Sequence, residues 1–98
     1  MQRYSILMKN MDHCYICGST ENIHIHEIFY GTANRKISIK EGLCISLCAL
    51  HHNMSKKSVH LCASLDKEIK QKAQVIWQKH YKKTENDFIK LFGKSYIQ

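Results

Sequence analysis

The chain contains no proline, four glycines and one tryptophan among its 98 residues. Without proline, low-complexity runs or internal repeats, no segment has the composition of a linker, so we expect residues 1–98 to form one domain. No apolar run approaches the roughly twenty residues that a membrane-spanning helix needs. The sequence therefore predicts no membrane association.

Acidic residues are also scarce relative to basic ones. The chain has eight Asp and Glu and fifteen Lys and Arg, which gives a formal net charge of +7. A basic surface attracts nucleic acid through its phosphates, although in a solvated protein it can serve solubility alone. We therefore favour nucleic acid as the partner.

The five cysteines are an odd number, and no signal-peptide pattern is visible. A disulfide framework is therefore not expected, and the composition predicts a reducing cytoplasm in which cysteines bind metal or pack as small apolar side chains. Cys44 lies in an apolar run, and Cys62 follows Leu61 without a partner at ligand spacing. We expect Cys44 and Cys62 in the core.

Two pairs of soft ligands stand out. Each pair encloses two residues, as in the metal-binding turns of zinc proteins, and the pairs consist of Cys14 with Cys17 and Cys48 with His51. This pattern predicts a structural Zn²⁺ ion. Thirty residues separate Cys17 from Cys48, whereas a zinc finger has about a dozen at this point. The long interval must therefore have another use.

Within that interval the pattern predicts a β-hairpin. Apolar and polar residues alternate over 23–30, with Glu27 on the otherwise apolar side, and residues 43–47 form a more buried second strand. Residues 31–40 are expected to be the connecting loop. Near the amino terminus, residues 4–11 fit a packing arm as well as a helix.

The second half of the chain is predicted to be mainly helical. A turn of helix is expected from Ala49, followed by a polar loop over 53–58. Ser64 is the expected N-cap of a long amphipathic helix, and Thr84 that of a shorter one ending before Gly93.

Four blocks together resemble the HNH nuclease superfamily, in particular its small phage-type members. They are Cys14-Tyr15-Ile16-Cys17-Gly18, His26 through Lys36, Gly42 through His52, and Val59-His60. The resemblance implies an α+β fold: a zinc-stapled ββα-metal (His-Me finger) core over residues 14–63, followed by two C-terminal helices over residues 64–96.

The resemblance also implies two metal sites. The structural zinc would be held by Cys14, Cys17, Cys48 and His51. A catalytic divalent metal, Mg²⁺, Mn²⁺, Ni²⁺ or Zn²⁺, would be bound by His26, His52 and His60. His51 and His52 could exchange roles, because neighbouring helical side chains point about 100° apart.

The chain departs from the superfamily at Glu27, where most members carry the histidine that deprotonates the attacking water. Glu27 or His24 would take that proton here, and Arg35 or Lys36 would hold the adjacent phosphate. Asn34 is the candidate counterpart of the motif's asparagine, with a structural turn role as the alternative.

The expected function is a metal-dependent HNH-type endonuclease or nickase that hydrolyses DNA phosphodiester bonds. Its source would be a phage or prophage and its location the bacterial cytoplasm. The alternative, prompted by Glu27, is a catalytically impaired relative that binds nucleic acid or inhibits a host nucleic-acid-processing or immunity enzyme.

Overall fold

The computed structural model of the chain describes residues 3–97, so both ends of the expected domain lie outside the described residues. Its elements are β1 (Ile23–Glu27), α1 (Thr32–Glu41), β2 (Cys44–Cys48), α2 (Ala49–His52), α3 (Ala63–Tyr81) and α4 (Glu85–Phe92). A two-stranded sheet with four helices confirms the mixed α and β composition. None of these helices is long and apolar enough to cross a membrane.

The two strands pair antiparallel, as the hairpin prediction requires. Ile23 lies opposite Cys48 and Glu27 opposite Cys44, and every residue of β2 is buried. Because side chains alternate between the faces of a strand, His24 and His26 share one face of β1. β1 ends at Glu27, three residues earlier than the alternation suggested.

The predicted loop over residues 31–40 is wrong, because α1 occupies almost all of it. Gly31 and Gly42, both with positive φ, mark the two ends of this helix. The buried side chain of Ser38 anchors it by accepting a hydrogen bond from Phe29 N (3.1 Å) and donating one to Phe29 O (2.7 Å). A helix held by a buried hydroxyl has little apolar periodicity, so pattern analysis missed it.

The segment over residues 4–11 is an arm and not a helix. Ser5 forms an isolated β-bridge with Leu43, and Ile6 N donates to Gly42 O (2.8 Å). The Tyr4 hydroxyl donates to Lys40 O at 2.7 Å. The arm therefore fastens the start of the chain to the junction between α1 and β2.

The helical half agrees with the prediction except at one cap. The turn of helix at α2 and the polar loop after it are both present. α3 begins at Ala63 with Cys62 as its N-cap, so the prediction of Ser64 as N-cap was wrong. Asp66 N donates to Cys62 O (3.1 Å), and this hydrogen bond places Ser64 within the first turn of the helix. Thr84 forms the expected capping box with Asp87.

α3 and α4 pack against each other and against Phe29, which follows β1, through aromatic contacts. The Phe29 ring lies 4.7 Å from Phe92 and 5.3 Å from Phe88, and Trp77 lies 5.4 Å from Phe88. The Trp77 indole also donates to Glu41 Oε1 at 2.9 Å, which ties α3 to the end of α1. These contacts bury the apolar stripe of the long helix.

The two cysteines assigned to the core differ in position. Cys44 is fully buried in β2, as predicted. Cys62 is only half-buried, lies outside the core cluster and has its thiol 3.4 Å from Ser64 Oγ. Its expected core role was therefore wrong, because the position serves as a helix cap.

The two helix-ending glycines provide a matched test of packing. Gly42 has φ +76°, and an added Cβ would lie 2.5 Å from Tyr4 Cε2, whereas Gly93 has φ +90° with open space around it. Gly93→Ala should cost about 1–2 kcal/mol for the left-handed backbone alone. Gly42→Ala should cost about 1–3 kcal/mol more, because the arm must also move. Urea denaturation measures both free energies of unfolding, and equal values would contradict this packing of the arm.

Candidate metal centres

Three cysteines and one histidine converge from separate parts of the chain. They are Cys14 and Cys17 before β1, Cys48 at the end of β2, and His51 in α2, and their ligand atoms lie within 4.8 Å of one another. Cys14 and Cys48 are buried, whereas Cys17 reaches the surface. The sequence prediction that these two pairs come together is confirmed.

The distances within this quartet suit a tetrahedral ion. Ligands of a tetrahedral zinc lie about 3.8 Å apart when both are sulfur and about 3.5 Å apart when one is nitrogen. Cys17 Sγ and Cys48 Sγ are 3.7 Å apart. His51 Nδ1 is 3.3 Å from Cys48 Sγ and 3.7 Å from Cys14 Sγ. The quartet could therefore hold a metal such as zinc.

Backbone hydrogen bonds shape the turn that carries the first pair. Gly18 N donates to Cys14 O (2.9 Å), and Cys14 N donates to Ser19 O (2.8 Å). Gly18 adopts φ 78°, which favours glycine at this position. Tyr15 N donates to Ser46 O (2.8 Å) and so docks the turn on β2, close to Cys48.

The surroundings of Cys14 lower the pKa of its thiol. Burial raises the pKa of Cys14, but backbone hydrogen bonds from Cys48, Cys17 and Ile16 outweigh it and lower the pKa from 9.0 to about 6. A thiolate is the form that binds a metal. The turn therefore favours the ligand form of this side chain near neutral pH.

A second cluster brings His26, His52 and His60 together, again with ligand atoms within 4.8 Å of one another. His52 Nε2 and His60 Nε2 are 3.2 Å apart, close to the roughly 3.3 Å expected for two nitrogens on a tetrahedral ion. His26 is buried, His52 half-buried and His60 exposed. One side of the cluster therefore faces solvent.

The return of His60 to the cluster depends on the backbone. Val59 N donates to His51 O (2.8 Å), and His60 N donates to His52 O (3.3 Å). Val59 is only 2 % exposed, so its apolar side chain anchors the end of the loop. The seven residues between His52 and His60 thus loop out and come back beside α2.

The buried imidazole of His26 supports a metal at the second cluster. Its Nε2 is buried, and no group among residues 3–97 forms a hydrogen bond with it. Burial, aided by His60, His52 and Lys70, lowers the pKa of His26 to about 3. A neutral imidazole with an unpartnered buried nitrogen is suited to binding a metal. The donor set therefore fits a divalent ion.

Glu27 and Arg35 lie at the rim of the same pocket, which has a volume of about 210 Å³. Glu27 Oε1 lies 3.4 Å from Arg35 Nε, and Glu27 Oε2 accepts a hydrogen bond from Arg3 Nε at 3.2 Å. The Glu27 side chain is 12 % exposed. Two guanidinium groups thus share one carboxylate beside the histidines. The described residues that line the pocket are Ile25, His26, Glu27, Tyr30, Arg35, His52 and His60.

Other predicted residues have different positions. Asn34 is half-buried in the first turn of α1 and is not among the described residues lining the pocket, and Lys36 is exposed on the same helix. His24 lies beside His52, with the two Nδ1 atoms 3.0 Å apart. The structure thus brings Glu27 and Arg35 to the cluster and leaves Asn34 and Lys36 outside it.

Sequence reasoning missed Arg3 and Tyr30. Arg3 reaches Glu27 from 24 positions away, and no local pattern could reveal that pairing. The Tyr30 ring lies 5.4 Å from His60, and its hydroxyl donates to Asp66 Oδ2 at 2.9 Å. In the sequence, Tyr30 is the last polar position of the alternation predicted for the first strand. That position was the only signal that Tyr30 lies near the histidines.

Comparisons of the chain with protein-family models, with curated proteins and with solved structures found no match. The likeness to HNH nucleases therefore stays a resemblance carried by the quoted residues.

We expect the quartet to couple metal binding to folding. Cys17→Ser should reduce zinc content below one ion per chain and unfold the domain, because metal affinity contributes to the free energy of folding. Cys62→Ser is the matched control, since Cys62 is a free thiol outside the quartet. Atomic absorption and far-UV circular dichroism measure both effects. A folded, zinc-loaded Cys17→Ser protein would exclude the quartet as a structural site.

The buried His26 predicts acid sensitivity. Its folded pKa of about 3 lies below the ordinary value of 6.5, so the unfolded chain takes up the proton first. Above pH 6.5 the protonation of His26 does not affect the free energy of unfolding. As the pH drops from 6.5 toward 3, the free energy of unfolding should fall by up to ~1.4 kcal/mol per pH unit.

Urea denaturation of the wild type and of His26→Leu between pH 7 and pH 4 checks this sign. The free energy of unfolding should fall more steeply with acid in the wild type. Parallel pH profiles would show that His26 is not held neutral by burial.

Proposed function

We propose that the chain is a metal-dependent endonuclease or nickase of the HNH type that hydrolyses DNA phosphodiester bonds. The observation that carries this proposal is the convergence of His26, His52 and His60 in a solvent-facing pocket with Arg35 on its rim. The resemblance in sequence supports the same assignment and the ββα-metal description of β1, β2 and α2.

The two clusters suit different tasks. The quartet supplies four ligands, which completes a tetrahedral shell, as in structural zinc sites. The histidine cluster supplies three ligands, which leaves a coordination position for a substrate, as in catalytic sites. We therefore assign structural zinc to the quartet and the catalytic divalent metal to His26, His52 and His60.

The rim residues provide the remaining chemistry. A divalent ion at the histidines would supply Lewis-acid stabilisation of negative charge on the phosphate. Arg35, 60 % exposed, and Arg3, 42 % exposed, can pair with a neighbouring phosphate while still close to Glu27. Glu27 then accepts the proton of the attacking water, since His24 Nδ1 is engaged by His52.

The charge distribution supports DNA as the partner. Lys70 and Lys72 form ion pairs within α3, with Asp66 (2.9 Å) and Glu68 (3.7 Å). Other exposed lysines, on α3 and directly after it, are available for phosphate contacts: Lys67, Lys79, Lys82 and Lys83. Such contacts give salt-dependent binding without sequence preference. A phage protein acting on DNA in the bacterial cytoplasm fits this surface.

Glu27 also supports a second candidate function. Both of its carboxylate oxygens already face guanidinium groups, as in a purely structural ion pair. In that case the chain would be a non-catalytic relative that binds nucleic acid or inhibits a host nucleic-acid-processing or immunity enzyme. The nuclease is favoured because an ion pair alone leaves the unpartnered nitrogen of His26 unexplained.

A plasmid-nicking assay tests the nuclease. The wild type with Mg²⁺, Mn²⁺, Ni²⁺ or Zn²⁺ should relax supercoiled DNA, and His60→Ala should reduce the rate by about 100-fold, because a metal ligand is lost. His60 is exposed, so the fold should survive the change. Glu27→Gln should also lose about 100-fold if Glu27 is the base.

His80→Ala is the matched control, since His80 is exposed on α3 and not part of the cluster. Its nicking rate should equal that of the wild type. Relaxation that persists unchanged in His60→Ala would contradict the proposed site. DNA binding without relaxation under any of the four metals would favour the second candidate.

A further inference from the structure

His24 has a specific relation to one member of the histidine cluster. Its Nδ1 lies 3.0 Å from His52 Nδ1, and the two rings stand edge to face at 86° with centroids 5.1 Å apart. His52 uses its other nitrogen, Nε2, toward His60. His52 is thus contacted at both ring nitrogens.

We propose that His24 is a positioning residue that fixes the tautomer and orientation of His52, so that the Nε2 lone pair of His52 faces His26 and His60. This inference rests on the proposed function of the cluster as a metal site. A ligating histidine commonly donates its second ring N–H to an acceptor, which orients the ring and raises its basicity. Here that acceptor is another imidazole.

Hydrogen-bond balance leaves two directions for the contact between His24 and His52, and only one of them leaves His52 Nε2 free to bind a metal. Two neutral imidazoles that meet through Nδ1 need one N–H and one lone pair at that contact. If His52 donates its Nδ1–H to His24, its Nε2 is left with a lone pair for a metal, and His24 carries its own proton on Nε2. The opposite direction would place a proton on His52 Nε2 and block it as a ligand.

The surroundings hold His24 in place for this task. It is the second of the five residues of β1, lies opposite Leu47 in the ladder, and is half-buried on the same face as His26. A side chain on a paired strand is held more rigidly than one on a loop. The strand that supplies the buried ligand His26 therefore also supplies the residue that orients the ligand from α2.

A Co²⁺ titration of the metal-free chain tests the inference with three proteins. The cysteine quartet should bind the first equivalent with sulfur-to-cobalt charge-transfer absorption, and the histidine cluster the second without it. His24→Val, which removes the acceptor, should weaken the second equivalent by about 10–100-fold and leave the first unchanged. His24→Asn, whose Oδ1 can replace Nδ1 as acceptor, should restore most of that affinity.

Unchanged affinity for the second equivalent in His24→Val would overturn the role of His24. A wild type that binds only one equivalent would instead overturn the proposed metal function of the cluster. In that event the tautomer of His52 still tests the role of His24, because it can be measured without a second metal.

Long-range ¹⁵N–¹H spectra of the zinc-loaded chain report that tautomer. We expect His52 to be protonated at Nδ1 in the wild type and in His24→Asn. In His24→Val the preference of His52 for this tautomer should be lost. A wild-type His52 protonated at Nε2 would overturn it.

Discussion

The antiparallel ladder between β1 and β2 is the constraint on which both clusters depend. It places Cys48 at the last paired position of β2, and α2 begins at the next residue. Consecutive helical side chains point about 100° apart, so His51 turns toward the cysteines and His52 toward His26. A one-residue slip of the ladder would move His24 and His26 to the opposite face of β1. Both clusters would then lose their geometry.

Features with a local sequence pattern could be predicted from the sequence. The two cysteine and histidine pairs were recognisable because two residues between ligands form a tight turn around one ion. The strand carrying His24 and His26 was visible in its alternation, and the cap at Thr84 in the acidic residue three positions later. In each case the pattern that reveals the feature lies within a few neighbouring residues.

Features that depend on contacts between distant residues could not be predicted from the sequence. α1 is fastened by Ser38 to Phe29 through hydrogen bonds, so it has little apolar pattern to recognise. The pairing of Glu27 with Arg3 joins a strand to the amino-terminal arm. Whether His51 or His52 joins the cysteines depends on the direction in which α2 leaves the ladder. These contacts require the folded chain.

We propose that one helix of four residues, α2, supplies ligands to two separate metal centres. Anomalous diffraction from crystals of the chain grown with Zn²⁺ and Co²⁺, recorded at each metal's absorption edge, tests it most directly. We expect two peaks per chain, one among Cys14, Cys17, Cys48 and His51 and one among His26, His52 and His60. A single peak at the cysteines, with the three histidines bonded only to one another, would contradict it.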